Sequence, residues 1–415
     1  MIKLFVIIDG LGDKQSKELN NKTPLELANI PNLNYFAKEG CTGLIYTISK
    51  KIAHESDQAV WALLGNDPKK DYPGRGPLEA YGAGISFKDG YLILRANFAT
   101  YENNKIIDRR VGRSLTTKEA KKLAKAINKK VKLKYSFKFI PTIGHRSILI
   151  IHGKFSSKIS NTDPAYKKVG KLESAKITSN LLQKCKPLDK SNLSKETAEI
   201  INDFVKQSSI ILNENKINKK RQRKGLLKAN LILLRDAGNK VPKSNKRFLS
   251  WAAIVGMPLE KGIAKLHGMN ILSYKIVENK NKDYYSSLYK TLNNAIKSAK
   301  EYISKMQYPC YFVHFKEVDI PGHDGKPLDK KEMLELIDKE FFSYIRKIKD
   351  IQLVVTGDHS TPCSLKSHSS DPVPLLWYGK QKDRVEKFSE KECKNGSLVI
   401  LYGKDIMKKT SFIHN

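Results

Sequence analysis

The sequence predicts an α/β fold: a mainly parallel sheet flanked by helices and interrupted by an inserted α+β domain. Continuous apolar strands alternate with amphipathic helices in both terminal parts of the chain, which is typical of a parallel sheet covered on both faces. Metal-ligating side chains follow several of these strands. The middle of the chain has a different, lysine-rich composition, and 415 residues are enough for two domains.

Three elements are predicted near the amino terminus. The run "IKLFVIID" predicts a first strand that ends at Asp9. A helix begins at "TPLE", where Thr23 caps the helix, Pro24 takes its first position and Glu26 completes a capping box. The run "PNLNYFAKEG" predicts a second helix, with Gly40 as its terminator.

The carboxy-terminal part continues the alternation of strands and helices. Apolar residues recur at helical spacing between Tyr284 and Met306, at positions 288, 292, 295, 296, 299 and 303. Strands are predicted at "PCYFVHF", "IQLVVTG" and "VPLLWYG", and a helix at "KEMLELIDKEFFSYIRKI" separates the first two. Because these strands are apolar throughout, we expect both of their faces to be buried.

The inserted domain is predicted over residues 84–248, which leaves 1–83 and 249–415 for the sheet domain. The insert contains a hairpin-like stretch, "DGYLILRANFATYENNKIIDRR", and a lysine-rich helix, "TTKEAKKLAKAINKKV". Turn-prone, charged joints flank it, with "DYPGRGP" before it and "DAGNKVPKSNKR" near its end. We therefore expect an α+β domain placed within the first one.

The composition limits the classes of function. A net charge of +34 would suit nucleic-acid binding, but the lysines are spread along the chain and no nucleic-acid-binding motif accompanies them. We expect instead solvated basic surfaces that attract a small phosphorylated anion. No apolar run approaches the roughly 20 residues of a membrane span, so no membrane partner is expected. Five scattered cysteines without CxxC spacing favour the reducing cytoplasm.

Carboxylates and imidazoles follow three of the predicted strands, at the carboxyl ends where α/β sheets bind their ligands. These residues are Asp9 after the first strand, Lys316, Asp319 and His323 after "CYFVHF", and Asp358, His359 and His368 after "IQLVV". Hard carboxylate oxygens and borderline imidazoles suit manganese, magnesium or zinc. Each histidine taken alone is better explained as a turn residue that bonds to the backbone, but the set predicts a site for two metal ions.

Ser56 is the candidate nucleophile beside this site. It precedes the apolar helical stretch of "AHESDQAVWALLG", a position at which serine is usually only a helix cap. The same position directs the hydroxyl toward the positive end of the helix, where a metal would favour the alkoxide and backbone N–H groups would receive phosphate oxygens. From the residues alone, both roles stay open.

A series of motifs resembles one known family. "DGLGD", "ESDQA", "GRGPLEAYGAG", "DRRVGR", "DIPGHDG", "GDHSTPC" and "HSSDPVP" occur in this order, as in the archaeal-type cofactor-independent phosphoglycerate mutases of the alkaline phosphatase superfamily. The resemblance implies an alkaline-phosphatase-like α/β domain interrupted by a substrate-binding insert. It also implies an isomerase that interconverts 2-phosphoglycerate and 3-phosphoglycerate through a phosphoserine intermediate. Two divalent ions would be required, manganese first and magnesium, cobalt or zinc as alternatives, and 2,3-bisphosphoglycerate would not.

The resemblance also implies roles for named residues. One metal ion would be held by Asp319, His323 and His368, and the other by Asp9, Ser56, Asp358 and His359. Ser56 would be the nucleophile, Lys316 would neutralise phosphate charge, and Asp108 would carry a proton. The substrate would be bound in the insert by Arg109, Arg110, Arg113, His145, Arg146, Arg221 or Arg223, and Arg235. Arginine forks suit this task because they contact carboxylates and phosphates at two points.

Three positions depart from the family pattern. Glu55 and Gln58 flank the nucleophile where many members carry Gly and Thr, and Asp236 stands where Gly is common. These changes leave alternatives open: a metal-dependent phosphomonoesterase, a phosphotransferase acting on a small alcohol such as homoserine, or a basic binding protein with a relict site. The complete set of metal ligands argues against a relict. The sequence leaves the oligomeric state open.

Overall fold

The computed structural model describes residues 1–170, 172–176, 179–279 and 283–412, and the chain divides into two compact units. The first unit comprises Met1–Tyr72, Ser244–Ile276 and Leu288–Asn415, and the second comprises Pro73–Lys243 and Val277–Ser287. These limits differ from the expected ones at both joints. The helix Arg75–Gly82 packs on strands of the second unit, whereas Ser244 and Phe248 bond to residues of the first, Asn66 and His267.

The strands are, in chain order, β1 (Ile2–Ile8), β2 (Gly40–Tyr46), β3 (Leu92–Glu102), β4 (Lys105–Asp108), β5 (Phe137–Pro141), β6 (Arg146–Ile151), β7 (Tyr166–Val169), β8 (Leu172–Ala175), β9 (Leu231–Gly238), β10 (Trp251–Ile254), β11 (Asn270–Leu272), β12 (Cys310–Phe315), β13 (Ile351–Thr356), β14 (Val373–Tyr378) and β15 (Leu398–Tyr402). They form one large sheet in the first unit and smaller antiparallel sheets in the second.

The α-helices are α1 (Pro24–Leu27), α2 (Pro31–Lys38), α3 (Ser56–Leu63), α4 (Pro68–Asp71), α5 (Arg75–Gly82), α6 (Thr117–Lys130), α7 (Asn192–Asn213), α8 (Lys216–Arg223), α9 (Pro258–Leu266), α10 (Tyr284–Ser304), α11 (Asp319–Asp324), α12 (Pro327–Ile337), α13 (Ser343–Ile345), α14 (Glu390–Cys393) and α15 (Gly403–Lys409). Within the described part of the chain, none of the helices has both the length and the apolar character needed to cross a membrane.

The large sheet of the first unit has the order β11-β10-β12-β1-β13-β14-β2-β15. Its pairings are parallel except for those of β14, which runs antiparallel to both β13 and β2. The predicted mainly parallel sheet is thus confirmed. Strands β12 and β13 are buried along their whole length, as expected for strands covered on both faces.

The predicted amino-terminal helices form, with one correction. At α1 the capping box is present, because Thr23 Oγ1 accepts from the Glu26 N–H at 3.0 Å and Glu26 Oε2 accepts from the Thr23 N–H at 2.8 Å. Helix α2 ends at Lys38, so Gly40 is the first residue of β2 and not a helix terminator. A Cβ atom at Gly40 would lie 2.7 Å from the carbonyl oxygen of Trp377, so glycine is required there by close strand packing.

The predicted carboxy-terminal helices are also present. The apolar positions foreseen in α10 are buried. The helix predicted from Lys331 begins earlier, at Pro327, and continues through a π-helical segment over Asp338–Phe342 to α13. The Asp338 carboxylate in that segment accepts from the Leu33 N–H at 2.7 Å, so it satisfies a free N–H group in the first turn of α2.

The second unit is an antiparallel α+β assembly. Its sheet has the order β4-β3-β6-β5, with β9 paired to β3, and β7 and β8 form a separate hairpin. The predicted hairpin is formed by β3 and β4, whose turn residues Asn103 and Asn104 both have positive φ, as a two-residue turn requires. Helices α6 and α7 pack on this sheet and enclose its apolar core.

A buried lysine joins the loops that follow β1 and β13. The ammonium group of Lys330, on α12, donates to Asp13 Oδ2 at 2.8 Å and to the carbonyl oxygens of Gly12 and Thr361, each at 3.1 Å. Lys330 is completely buried and Asp13 nearly so. Because an unpaired buried charge is costly, each of these two groups depends on the other for its stability in the core.

We expect Lys330→Met to lower the free energy of unfolding by about 3–5 kcal/mol, since it leaves the Asp13 carboxylate buried without its cation. Urea unfolding measures this loss. The neighbouring Lys331 is the matched control, because its bond to Glu335 is partly solvated and Lys331→Met should cost less than about 1 kcal/mol. Equal losses for the two variants would contradict a structural role for Lys330.

Candidate active site

Three parallel strands bring the predicted metal ligands together at one edge of the large sheet. Strand β1 lies between β12 and β13, with Ile8 level with Phe315 and Ile7 level with Thr356. Continuing this register places Asp9 level with residues 316 and 358. The ends of the three strands therefore deliver carboxylates from distant parts of the sequence to a single place.

The first metal cluster consists of Asp9, Asp358 and His359, all of which are buried. One ligand atom from each residue lies within 4.8 Å of the others. Asp358 Oδ1 accepts from the N–H groups of Gly10 and His359, each at 3.0 Å, which fixes the orientation of this carboxylate. Asp358 Oδ2 remains directed toward His359 Nε2, at 3.4 Å.

The second metal cluster consists of Asp319, His323 and His368. His323 Nε2 lies 3.3 Å from Asp319 Oδ2 and 3.2 Å from His368 Nε2. The rings of His359 and His368 stack with their centroids 3.7 Å apart, so the two clusters are adjacent. The structure thus brings together the six predicted carboxylate and imidazole ligands, and the predicted ligand Ser56 joins them.

Hydrogen bonds fix the tautomers of the three histidines. The Nδ1 atoms of His368 and His323 can only donate to the carbonyl oxygens they contact, His54 O at 2.9 Å and Lys366 O at 3.3 Å. The hydroxyl of Thr361 donates to Asp319 Oδ1 at 2.7 Å, so its oxygen accepts from His359 Nδ1 at 3.0 Å. In each case Nε2 is left for the cluster, which is the arrangement that metal-binding histidines show.

The two clusters fit divalent ions. Asp9 Oδ1 and Asp358 Oδ2 are buried and accept no hydrogen bond among the described residues, a costly arrangement unless a cation binds there. In the second cluster two imidazole nitrogens face each other at 3.2 Å, so a cation or a proton must lie between them. Carboxylate and imidazole donors are those that manganese, magnesium and zinc accept.

Glu55 is an acidic neighbour of His368 in the second cluster, a contact that the sequence did not reveal. Its Oε1 lies 3.2 Å from His368 Nδ1. Burial lowers the pKa of His368, but the Glu55 carboxylate outweighs this effect and raises the pKa to about 9. An ion bound in this cluster would replace a proton, and Glu55 would strengthen His368 as its ligand.

Ser56 lies beside the first cluster, but not as a helix cap. It is the first residue of α3, and the cap position belongs to Glu55. Ser56 Oγ lies 3.2 Å from His359 Nε2 and accepts a hydrogen bond from Lys316 Nζ at 2.8 Å. Lys316 Nζ also contacts Asp9 Oδ2. The hydroxyl is therefore held between His359, a predicted metal ligand, and the half-buried cation of Lys316, which is the environment that an alkoxide requires.

The second unit contains an arginine cluster, formed by Arg75, Arg95, Arg146 and Arg235. Arg95 and Arg235 are paired across β3 and β9, and Arg146 is level with Asn97, two residues along β3 on the same face. Arg75 Nε donates to Glu79 Oε1 at 2.7 Å, and Arg95 Nη1 lies 3.5 Å from the same oxygen. Among the described residues, the Nε and Nη1 atoms of buried Arg95 have no hydrogen-bond partner.

His145 belongs to the same region. Its pKa is lowered well below the usual range, first by burial and then by the charges of Arg146, Arg110, Arg95 and Arg113. The side chain is therefore neutral at physiological pH. Arg110 and Arg113 are half-buried, and the Arg113 guanidinium lies 5.0 Å from the ring centroid of Tyr284. These predicted residues do lie near one another.

Asp108 and Arg109 form hydrogen bonds with other residues of the second unit. Asp108 Oδ1 accepts from the N–H groups of Arg110 at 2.6 Å and Gly112 at 2.9 Å, so it orders the turn. Arg109 donates to Asp163 at 2.9 Å and to Asn180 at 2.8 Å. Both side chains are half-buried, and neither is in a metal cluster.

Of the two alternatives Arg221 and Arg223, only Arg221 is bonded within the described part of the second unit. Arg221 is buried, and its guanidinium donates to Leu227 O, Ser114 and Glu119 at 2.7–3.2 Å. It therefore stabilises the packing of α8 within the second unit. Arg223 is exposed on the same helix. The spacing of basic residues in "NKKRQRKG" does not distinguish these roles, because only the packing of α8 decides which arginine points inward.

Sequence reasoning missed Arg75, Glu79 and Arg95. The signals were present, since "GRGPLE" places Arg75 and Glu79 four residues apart and Arg95 interrupts the apolar run of β3. A charged residue within a buried strand needs a partner, so its presence predicts one. Arg95 and Arg75 outweigh burial and lower the pKa of Glu79 to about 2.

The departure at position 236 has a structural basis. Asp236 has a φ of +57°, a conformation that glycine adopts without strain and that aspartate tolerates better than most residues. Its carboxylate lies 3.3 Å from Arg235 Nε. The guanidinium of Arg235 also lies 3.6 Å from the centroid of the Tyr166 ring. Asp236 thus supplies a counter-charge to a residue of the arginine cluster.

Known proteins resemble this chain over nearly its whole length. A sequence model described as 2,3-bisphosphoglycerate-independent phosphoglycerate mutase matches residues 37–218. Proteins of that name from Thermococcus kodakarensis and Pyrococcus furiosus are 36% and 37% identical, each over 97% of this chain and 95% of the relative.

Solved structures agree with these relatives. A Pyrococcus horikoshii protein superimposes with a TM-score of 0.75 at 29% identity, covering 100% of this chain and 98% of that one. The cofactor-independent phosphoglycerate mutase of Thermoplasma acidophilum gives a TM-score of 0.55 at 30% identity, covering 99% of each chain. This chain belongs to the family of 2,3-bisphosphoglycerate-independent phosphoglycerate mutases.

Proposed function

We propose that this chain interconverts 2-phosphoglycerate and 3-phosphoglycerate with two divalent ions and Ser56 as the nucleophile. The observation that carries this proposal is the position of Ser56 Oγ, between His359 Nε2 at 3.2 Å and Lys316 Nζ at 2.8 Å, beside two clusters of metal ligands. Membership of the mutase family supports the choice of substrate.

The ions would be held by Asp9, Ser56, Asp358 and His359 in the first cluster and by Asp319, His323 and His368 in the second. When bound, they supply positive charge that stabilises the attacking and leaving oxygens of phosphoryl transfer. Manganese is our proposed ion, with magnesium, cobalt or zinc as alternatives.

Ser56 acts in two half-reactions. In the first, Ser56 Oγ loses its proton and bonds to phosphorus, while the bond from phosphorus to one glycerate oxygen breaks and that oxygen gains a proton. In the second, the other glycerate hydroxyl loses its proton and bonds to phosphorus, while the bond from phosphorus to Ser56 Oγ breaks and that oxygen regains a proton. Lys316, as an ammonium group donating to Ser56 Oγ, lowers the cost of negative charge on that oxygen. Asp108 is the proposed proton carrier between the glycerate oxygens.

The arginine cluster is proposed to bind the anionic groups of the substrate. Four guanidinium groups are balanced there by the carboxylates of Glu79 and Asp236, so the cluster retains positive charge. Arg109, Arg110, Arg113 and neutral His145 are proposed to assist. Retention of glycerate between the half-reactions separates a mutase from a phosphatase, because water would otherwise take the phosphoryl group.

We also propose that the protein acts in the cytoplasm. All five cysteines are free and buried in the structure, and a reducing compartment keeps thiols in this state.

We expect Ser56→Ala to lower the turnover of 3-phosphoglycerate by about three orders of magnitude or more, because the nucleophile is lost. The fold should remain, since Ser56 makes no capping bond in α3. A coupled assay measures turnover, and urea unfolding measures stability. Ser49→Ala, in the loop before α3, is the control and should keep activity. A folded Ser56→Ala enzyme with normal turnover would exclude this nucleophile.

We expect His359→Ala and His323→Ala each to remove one bound ion per chain, because they belong to different clusters. Elemental analysis after equilibrium dialysis against Mn²⁺ counts the ions without relying on activity. His152 contacts Ser136 and Tyr91 outside both clusters, so His152→Ala should keep the wild-type number. A wild-type protein that is active without divalent ions would contradict the assignment.

We expect Arg235→Ala to lower kcat/KM for 3-phosphoglycerate about a hundred- to a thousand-fold, since a buried charge-assisted contact is lost. Turnover of p-nitrophenyl phosphate, if the enzyme accepts this ester, should fall less, because it lacks the glycerate carboxylate. Arg384→Ala is the control, because Arg384 is exposed. Unchanged kinetics of Arg235→Ala with 3-phosphoglycerate would remove the arginine cluster from substrate binding.

A further inference from the structure

A third group of potential ligands lies behind the first metal cluster. Asp9, Glu260 and His314 are all buried, and one ligand atom from each lies within 4.8 Å of the others. His314 Nε2 lies 3.1 Å from Asp9 Oδ2, and His314 Nδ1 lies 3.9 Å from Glu260 Oε1. Neither the sequence motifs nor the proposed mechanism gives Glu260 or His314 a role. We call these three residues the rear pocket.

Glu260 has the burial and the lack of hydrogen bonds that are typical of a carboxylate bound to a cation. It lies in the first turn of α9 and is almost completely buried. Both of its carboxylate oxygens accept no hydrogen bond among the described residues. A buried carboxylate without hydrogen bonds is stable only when a cation lies close to it.

Lys316 supplies a cation at this place. Its ammonium group contacts Asp9 Oδ2 and lies 3.7 Å from Glu260 Oε1 and 2.8 Å from Ser56 Oγ. The same ammonium group therefore serves the rear pocket and the nucleophile.

We propose that the rear pocket is a third cation site of this centre, that its resident cation is the ammonium group of Lys316, and that Glu260 is the residue which holds that ammonium beside Ser56. This inference rests on the proposed function, because it assumes that divalent ions fill the other two clusters. Glu260 is then a positioning residue.

Competition for Asp9 explains why Glu260 is needed. Asp9 is a ligand of the first metal cluster, so an ion bound there draws electron density from the carboxylate that Lys316 contacts. Glu260 Oε1 is not a member of that cluster and stays available to the ammonium group. The ammonium group of Lys316 therefore keeps a carboxylate partner of its own beside Ser56 while the ion is present.

The test counts ions with and without the ammonium group. Wild-type protein, Lys316→Ala, Lys316→Ala/Glu260→Gln and Lys316→Ala/Glu390→Gln are dialysed against Mn²⁺ and analysed for manganese. We expect Lys316→Ala to bind one more ion per chain than wild type, because the rear pocket has lost its own cation. The extra ion should disappear with Glu260→Gln. It should persist with Glu390→Gln, since that half-buried glutamate bonds to Asp13 and Thr23 instead.

Each result has a separate meaning. No extra ion in Lys316→Ala would overturn the inference, and so would a divalent ion already present in the rear pocket of the wild type. A wild-type protein with no bound ion would overturn the proposed function, and this inference with it. A normal wild-type count with an unchanged Lys316→Ala count rejects the rear pocket alone.

A second measurement does not depend on the Lys316 variant folding. In Glu260→Gln the ammonium group of Lys316 loses the carboxylate that holds it beside Ser56, so its nitrogen should be more accessible to an acylating reagent. Acetylation of Lys316 by acetic anhydride, followed by peptide mass spectrometry of the Mn²⁺-loaded protein, should therefore be severalfold faster than in wild type. An unchanged rate would show that Glu260 does not hold this ammonium group.

Discussion

The parallel pairing of β1 with β12 and β13 is the constraint on which the site depends. The register places Asp9 level with residues 316 and 358, so residues more than 300 positions apart in the sequence meet at one sheet edge. A shift of one residue in either pairing would turn Asp9 or its neighbours toward the opposite face. The apolar strands fix this register because both of their faces are packed. The register in turn determines where the polar loops that follow the strands lie.

Several buried carboxylates lie at this edge of the sheet, and buried carboxylates are stable only when cations lie close to them. Asp9, Asp358 and Asp319 are proposed to be balanced by two ions, Glu260 by Lys316, and Asp13 by Lys330. The histidines, Thr361 and Glu55 complete the arrangement by fixing which nitrogen faces each cluster. Binding of ions and stability of the first unit are therefore linked, because whatever binds only the folded chain stabilises it.

In the second unit the charges are reversed: positive side chains are grouped together and only partly balanced by carboxylates. Its strands β3, β6 and β9 place arginines on one face, and Glu79 and Asp236 balance only part of their charge. Asp236 is the distinctive element, because it accepts a left-handed backbone that suits glycine and gains an ion pair with Arg235. The proposed site for an anionic substrate thus contains a carboxylate that competes for one of its arginines.

The sequence alone determined the alternation of strands and helices, the capping box at Thr23 and the placement of metal-ligating residues after strands, because these depend on local propensity and hydrophobic period. It also contained the motifs that identify the family. Only the tertiary structure decided that Gly40 permits close strand packing, that Arg221 is a structural residue, and that Glu260 and Arg95 need partners. These depend on side chains that meet from distant positions, and no local pattern records which buried charge faces which.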